Sequence, residues 1–214
     1  MELMDVIRQR RAVRDYRPDP VAAPMLRQLI DAAIWAPSAM NAQPWHFSVV
    51  TDGALLDRIS EHAKIWLLEN EAPTETNTPL RSLLQDRDAH ILHRAPALIV
   101  IAAEDAQRWA VEGCTLAAAN MMLAATELGL GTCWIGLAQD WLNTPEGCKA
   151  VGLRPTDQVI APIAIGHPQN VPAPPPRKQP DVVWMGIEMP PMVEDGGSGE
   201  RQSDHGFYGS LIHP

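Results

Sequence analysis

Three guanidinium groups fall within five residues, at Arg10, Arg11 and Arg14, directly after a short apolar stretch. Further along, the segment Ala36-Pro37-Ser38-Ala39-Met40-Asn41-Ala42-Gln43-Pro44-Trp45 sets small and short polar residues between two prolines. An arginine presents a planar fork of donors matched to phosphate oxygens and stays charged at any working pH. A loop of small residues lets a flat ring lie over the backbone, with amide and hydroxyl groups at its polar edge. A site for a polar-edged ring carrying a phosphate requires those two parts. Each segment also has a plainer reading. The arginines suit solvated charges at a helix C-terminus, where the macrodipole favours cations, and Ser, Asn and Gln are common in connecting loops.

Other chemistry is sparse. Cys114, Cys133 and Cys148 form no Cys-x-x-Cys pair, so neither a disulfide framework nor a thiolate metal site is expected. The histidines include no His-x-x-x-His or His-Glu-x-x-His pattern, which leaves a metal site unsupported. Gly129 and Gly131 approach a dinucleotide fingerprint. Trp134 stands where the third glycine belongs, however, and the segment follows a helical pattern where that fingerprint must follow a strand. Gly196-Gly197-Ser198-Gly199 lacks the spacing of a nucleophile elbow.

The elements that must position these groups are legible as periodic runs. Met1 to Gln9 reads as a short amphipathic helix. Pro24 suits a helix start, because its missing N–H would have no partner there, and Met25, Leu26, Leu29, Ile30, Ala33 and Ile34 follow at helical spacing. Pro37 excludes Ala36 from helical geometry, so residues 38–43 are expected as a loop. A strand is expected over Phe47–Thr51, then a helix led by Asp52 and running to Leu67, a surface loop over 70–79, and a helix over Leu80–His93. Ala97 to Ala102 is a continuous apolar run, as in a buried strand. Residues 105–128 read as a long helix, apolar almost all round in its middle, which points to burial on most sides or to a subunit interface. Thr132–Ile135 and Val159–Ile165 read as strands, with a short helix starting at Thr144-Pro145-Glu146. Beyond Pro168 the prolines enforce an extended arm over 169–192, and residues 193–214 are expected as a flexible tail.

The chain has 214 residues, 46% of them hydrophobic and 20% charged, the composition of one globular domain with a substantial core. Its net charge of −9 argues against a nucleic-acid partner. Asp5, Arg8, Arg10 and Arg11 interrupt any leader, and the most apolar stretch, Cys114 to Ala125, is too short to span a bilayer. The expectation is a cytoplasmic protein with no membrane partner.

Four motifs, in order over residues 8 to 178, resemble the nitroreductase family. They are Arg10-Arg11-Ala12-Val13-Arg14-Asp15-Tyr16, the Pro37-Ser38-x-x-Asn41-x-Gln43-Pro44-Trp45 pattern, Gly129-Leu130-Gly131-Thr132-Cys133-Trp134-Ile135-Gly136, and Gly166-His167-Pro168 with the basic pair Arg177-Lys178 beyond it. The resemblance implies an α+β fold, with a central, mostly antiparallel sheet flanked by helices, and an intertwined homodimer. It implies FMN as cofactor and NADH or NADPH as electron donor. Arg10, Arg11, Ala12 and Arg14 would meet the phosphate, with Arg177 or Lys178 returning to it from the arm. Pro37, Ser38, Ala39, Met40, Asn41 and Gln43 would line the ring, and Trp134, Ile135 and Gly136 would pass its reactive edge, with a Gly136 N–H on flavin N5. Trp45 and Trp134 also suit the core. Ala12 stands where relatives often carry serine, and Ala39 and Met40 where they are often polar.

The activity so implied is ping-pong hydride transfer from the nicotinamide, through flavin, to small electron-poor acceptors such as nitroaromatics or quinones. No side-chain acid or base is required, so no catalytic residue is assigned. Two alternatives stand beside it. One is specialised flavin chemistry, reductive dehalogenation or flavin breakdown, with residues 62–93 as a lid. The other is a non-catalytic flavin-binding protein.

Overall fold

The computed structural model describes residues 2–70, 78–104 and 107–186. The chain divides into a unit of residues 1–174 and a second of residues 175–214. In the second, residues 175–186 are exposed and without regular structure, and the expected tail over 193–214 lies outside the described residues.

A four-stranded antiparallel sheet carries the first unit. It is built from β1 (Trp45–Val50), β2 (Ala97–Glu104), β3 (Gly131–Trp134) and β4 (Asp157–Gly166), in the order β1-β2-β4-β3. β2 explains the layering. Its side chains alternate between faces, and both faces are buried, so the strand reads as a continuous apolar run. Leu98, Val100 and Ala102 pack with Leu56, Ile59, Ala63, Trp141 and Leu142. Ala97, Ile99, Ile101 and Ala103 pack with Leu26, Leu29, Cys114, Ala117 and Met121. One face therefore holds α3 (Gly53–Asn70) and α6 (Gly136–Leu142), and the other holds α2 (Ala23–Ala33) and α5 (Arg108–Glu127). This is the expected α+β architecture.

Local chemistry sets the helix ends. Pro24 lies in the first turn of α2. The Leu55 N–H donates to Asp52 Oδ1 at 2.8 Å, capping α3. The Gly147 N–H donates to Thr144 Oγ1 at 3.0 Å at the start of α7 (Pro145–Ala150), the helix expected there.

Two expectations need correction. The helix expected over Leu80–His93 is α4, Thr78–Gln85, and it stops eight residues early. Beyond it the chain turns, because tertiary partners outbid the helical ladder. Lys64 Nζ donates to the carbonyls of Asp86 and Ala89, both at 2.7 Å, and the Asp88 N–H donates to Asp86 Oδ1 at 2.9 Å. α6 is not expected from the sequence: Ile135 stands at its N-cap and no side chain caps it. α5 buries Gly113, Cys114, Ala117, Ala118, Met121 and Ala125 along one stripe, while Trp109, Val111 and Leu116 of the same helix are exposed within this chain.

Short segments close the structure at one edge. α1 (Leu3–Gln9) leads into an extended stretch in which Ala12 bridges Thr132 of β3 in parallel, and the Val13 N–H donates to the Thr132 carbonyl at 2.9 Å. Val13 explains one glycine of the Gly-Leu-Gly segment. A Cβ on Gly131 would lie 2.8 Å from three carbons of the Val13 side chain. Only glycine admits that approach.

Candidate functional site

The arginine segment is extended from residue 10 onward, so neighbouring side chains leave it on opposite sides. Arg10 and Arg14 fall on one side. Arg14 hydrogen-bonds the Cys133 thiol, and both guanidinium charges act on it. Burial pushes that thiol up, and the two arginines oppose the shift. Arg14 also acts on the buried Tyr16, whose hydroxyl donates to the Val13 carbonyl at 2.7 Å and whose pKa burial raises. Arg11 leaves the other side, into a groove it lines with Gln9, Val13, Thr126, Gly129 and Pro168. There its Nη1 donates to the carbonyls of Arg8 and Arg10, at 2.6 and 2.7 Å, closing the C-terminal end of α1. The structure brings Arg10, Ala12 and Arg14 together and sends Arg11 elsewhere.

β3 ends at Trp134, and Gly136 follows three residues after Cys133, at most about 10 Å away at the rise of a strand. The Ile135 N–H is engaged with the Pro162 carbonyl at 2.8 Å, and Ile135 is buried. Gly136 opens α6, where the N–H falls outside the helix's own ladder. Nothing lies within 4 Å of the position a Cβ would take there. The arginine pair and an open glycine backbone thus lie near the same end of one short strand. Trp134 is half-buried against the α2 and α5 layer, and Trp45 is buried in the same layer.

The loop between Pro37 and Pro44 is a strained, internally bonded turn. The Gln43 N–H donates to Ser38 Oγ at 3.0 Å, and the Asn41 and Ala42 N–H groups donate to the carbonyls of Ser38 and Ala39. Met40, Asn41 and Gln43 have φ of 51°, 55° and 47°. That left-handed region costs an L-residue about 1–2 kcal/mol, and asparagine tolerates it best. Three such residues out of four form a strain reservoir of the kind that collects at ligand sites. Met40 is fully exposed at the tip. Ser38 and Pro44 sit over Gly113 in the first half of α5. Arg11 and Val13 instead share a groove with Thr126, in the last turn of that helix. The loop and Arg11 therefore lie toward opposite ends of α5, at residues 113 and 126, about 20 Å apart along the helix. Arg177 and Lys178 belong to the second unit, where both are exposed.

Two further clusters carry no signal in the sequence. His46, the residue after Trp45, has its Nδ1 2.8 Å from Asp157 Oδ1, and Arg154 donates to Asp157 through its N–H at 3.0 Å and its Nε. Arg154 also lies against the His46 ring and reaches Glu104 at 3.3 Å. Burial alone would raise the Asp157 carboxyl. The Arg154 N–H, the His46 ring and the Arg154 guanidinium outweigh that and hold it below the usual range. The second cluster is the turn after α4. Here α3 presents Asp57, Ser60 and Lys64 along one stripe. Asp57 Oδ1 lies 3.2 Å from His90 Nε2, Ser60 Oγ accepts from the Ile91 N–H at 3.0 Å, and Lys64 holds the Asp86 and Ala89 carbonyls.

Among the described residues no group of His, Cys, Asp and Glu could hold a metal ion, and no helix is long and apolar enough to cross a membrane. A protein of Methanothermobacter thermautotrophicus, assigned provisionally as an NADH dehydrogenase/NAD(P)H nitroreductase, is 30% identical over 137 residues. That match covers 64% of this chain and 62% of the relative, so the chain spans somewhat under two thirds of that protein's length. The iodotyrosine deiodinase of Thermotoga neapolitana is 29% identical over 137 residues, 61% of this chain and 71% of that one. Among solved structures, a Bacteroides fragilis nitroreductase with bound FMN superposes with a TM-score of 0.71 at 27% identity, covering 88% of this chain and 98% of its own. The sequence profile of the nitroreductase family matches residues 7–167, nearly the whole of the unit that carries the sheet, the arginine segment and the strained loop, and the chain belongs to that family of oxidoreductases.

Proposed function

We propose that this protein binds FMN and passes electrons from NADH or NADPH to small electron-poor organic acceptors, nitroaromatics or quinones, in sites shared between two copies of the chain. The observation that carries the reading is the convergence of Arg10 and Arg14 beside Cys133, three residues before the open backbone of Gly136. A mononucleotide needs a fixed positive end and a flat, unobstructed place for its ring, and the arginines at Cys133 and the open Gly136 backbone offer the two. The residues present therefore fit the group. Similarity to an FMN-bound nitroreductase supports the same cofactor.

Each chain residue has a defined part in this reading. Arg10 and Arg14 bind the phosphate, the small Ala12 between them leaves room for it, and the Gly136 N–H donates to the ring's reactive edge. Pro37, Ser38, Ala39, Met40, Asn41 and Gln43 present a pre-shaped turn to the ring. Arg177 and Lys178 are exposed cations on the arm. FMN supplies the hydride chemistry, and the protein supplies placement and electrostatics. The loop and the arginine segment of one chain meet α5 toward opposite ends, which supports a loop contributed to each site by the second copy. The exposed apolar side chains of Trp35, Met40, Trp109 and Leu116 supply a surface for that pairing.

The test is an anaerobic titration of the purified, FMN-loaded protein with NADH and NADPH, followed by a panel of acceptors. Bleaching of the flavin by a nucleotide and its recovery on adding a nitroaromatic or quinone is the expected result. A protein that takes up no FMN defeats the reading, and a flavin left oxidised by both nucleotides identifies a non-catalytic binder. The resemblance to iodotyrosine deiodinase favours a second reading, reductive dehalogenation. Halide release from a halogenated phenol without reduction of the nitroaromatic panel would select it.

A further inference from the structure

β1 departs from the pattern its position calls for. On the side of the sheet that packs α3 and α6, His46 stands opposite Ala102, Ser48 stands opposite Val100, and Val50 is buried. A strand face turned to a core calls for apolar residues throughout, and a local conflict of this kind marks a strained or functional place. Both polar side chains are engaged. Ser48 Oγ donates to the Val151 carbonyl at 2.5 Å. His46 reaches across β2, its Nδ1 2.8 Å from Oδ1 of Asp157, the first residue of β4. The small Ala102 on the strand between them leaves room for that contact. His46 Nε2 accepts from Arg154 Nη2 at 2.6 Å, and the same guanidinium reaches Asp157 Oδ1 at 3.0 Å and Glu104 Oε2 at 3.3 Å. With the ring proton on Nδ1, His46 donates to Asp157 and accepts from Arg154, so both ring nitrogens are used. β4 is itself held. Val159 exchanges hydrogen bonds with Asn143, at the end of α6, at 2.7 and 3.0 Å.

We propose that His46 is a positioning residue for the flavin ring, its brace to Asp157 and Arg154 fixing the exit of the loop between Pro37 and Pro44. The assignment rests on the FMN reading above and deepens it at the ring end of the site, away from the phosphate. Only Pro44 and Trp45 stand between His46 and Gln43, the last left-handed residue of the loop. Proline fixes its own φ, and Trp45 is buried, so a shift at His46 passes into the loop with little slack. Met40, Asn41 and Gln43 keep their left-handed backbone only where the surroundings over-determine it. The loop's own hydrogen bonds shape the turn, but its two ends must be held for that shape to face a ligand. Ala36 is buried at the entry. At the exit the restraint is the brace. Without it the end of β1 can move, the left-handed residues relax, and the turn no longer presents the same surface to the ring. His46 touches no part of the flavin in this role, and the phosphate end is left as it was.

The experiment measures FMN and riboflavin affinities by fluorescence titration for the full chain and its variants, each checked by urea unfolding to be folded under assay conditions. His46→Ala should weaken both flavins by the same factor, about 3- to 10-fold, the effect of one lost hydrogen bond. It should also shift the visible absorption band of bound FMN, because the surroundings of the ring change. His46→Asn keeps a donor close to the place of Nδ1 and should recover part of both effects. Ser48→Ala removes the neighbouring bond of the same strand without touching the brace, and should leave both affinities within about twofold. A His46→Ala protein with unchanged affinities and spectrum overturns the assignment. So does a loss confined to FMN, which would put His46 at the phosphate end. An equal loss in Ser48→Ala overturns it as well, since any loosening of β1 would then suffice. In those cases an Arg14→Ala protein that selectively loses FMN leaves the FMN reading standing. Failure of the unaltered chain to bind FMN overturns both.

Discussion

At the scale of single residues, the consequence of an extended backbone is that adjacent arginines cannot do the same work. Arg14→Ala should weaken FMN about 10- to 100-fold and riboflavin much less, the cost of removing a charge-assisted hydrogen bond to phosphate. Arg11→Ala should leave the ratio of the two affinities unchanged and lower stability through the lost cap on α1. Fluorescence titration with both flavins measures the contrast, and a larger FMN loss for Arg11→Ala would exchange their roles. Asp157 makes a different prediction. Its carboxyl lies below the usual range in the folded chain, so it contributes stability above about pH 4, where the unfolded carboxyl is also ionised, and that contribution is lost as pH falls toward the folded value. Asp157→Asn should cost about 1–2 kcal/mol at neutral pH. His46 and Arg154 remain partly solvated after the change, which keeps the figure at the low end. Urea unfolding of both proteins from pH 7 down to pH 3 should show the gap closing on the acid side. A gap that stays constant would remove the carboxylate from the explanation.

At the scale of elements, the loop between Pro37 and Pro44 stores strain that glycine can release. The left-handed region costs Met40 about 1–2 kcal/mol, and glycine returns about 0.5–1 kcal/mol of that in unfolded-chain entropy. Met40→Gly should therefore raise stability by about 0.5–1 kcal/mol, and a decrease in urea midpoint would show that Met40 is held by contacts its full exposure does not suggest. The sequence made this loop visible through its two prolines, and it made β2, α2 and α3 visible through apolar spacing. It did not disclose the end of α4, because the groups that halt that helix, Lys64 and Ser60, arrive from another element. Nor did it separate Arg11 from Arg10 and Arg14. That separation depends on the bridge between Ala12 and Thr132, which no local pattern encodes.

At the scale of the molecule, the proposed site takes its loop and its arginines from two chains. Arg10→Glu and Ser38→Trp proteins should each fail to bind FMN alone. Mixed and allowed to exchange subunits, they should recover part of the binding, because a mixed dimer then holds one doubly altered site and one intact site. No recovery, with exchange established independently by mass, would assign both halves to one chain. The sheet itself adds a last consequence. The β3 edge is covered by residues 12 and 13, while β1 at the other edge pairs with β2 alone among the described residues. A row of unpaired amides and carbonyls beside Phe47 and the exposed Val49 is a template for any strand it meets. Refolding is therefore a race between correct assembly and edge-to-edge aggregation. Yield after denaturation is set by how dilute the chains are when β1 forms.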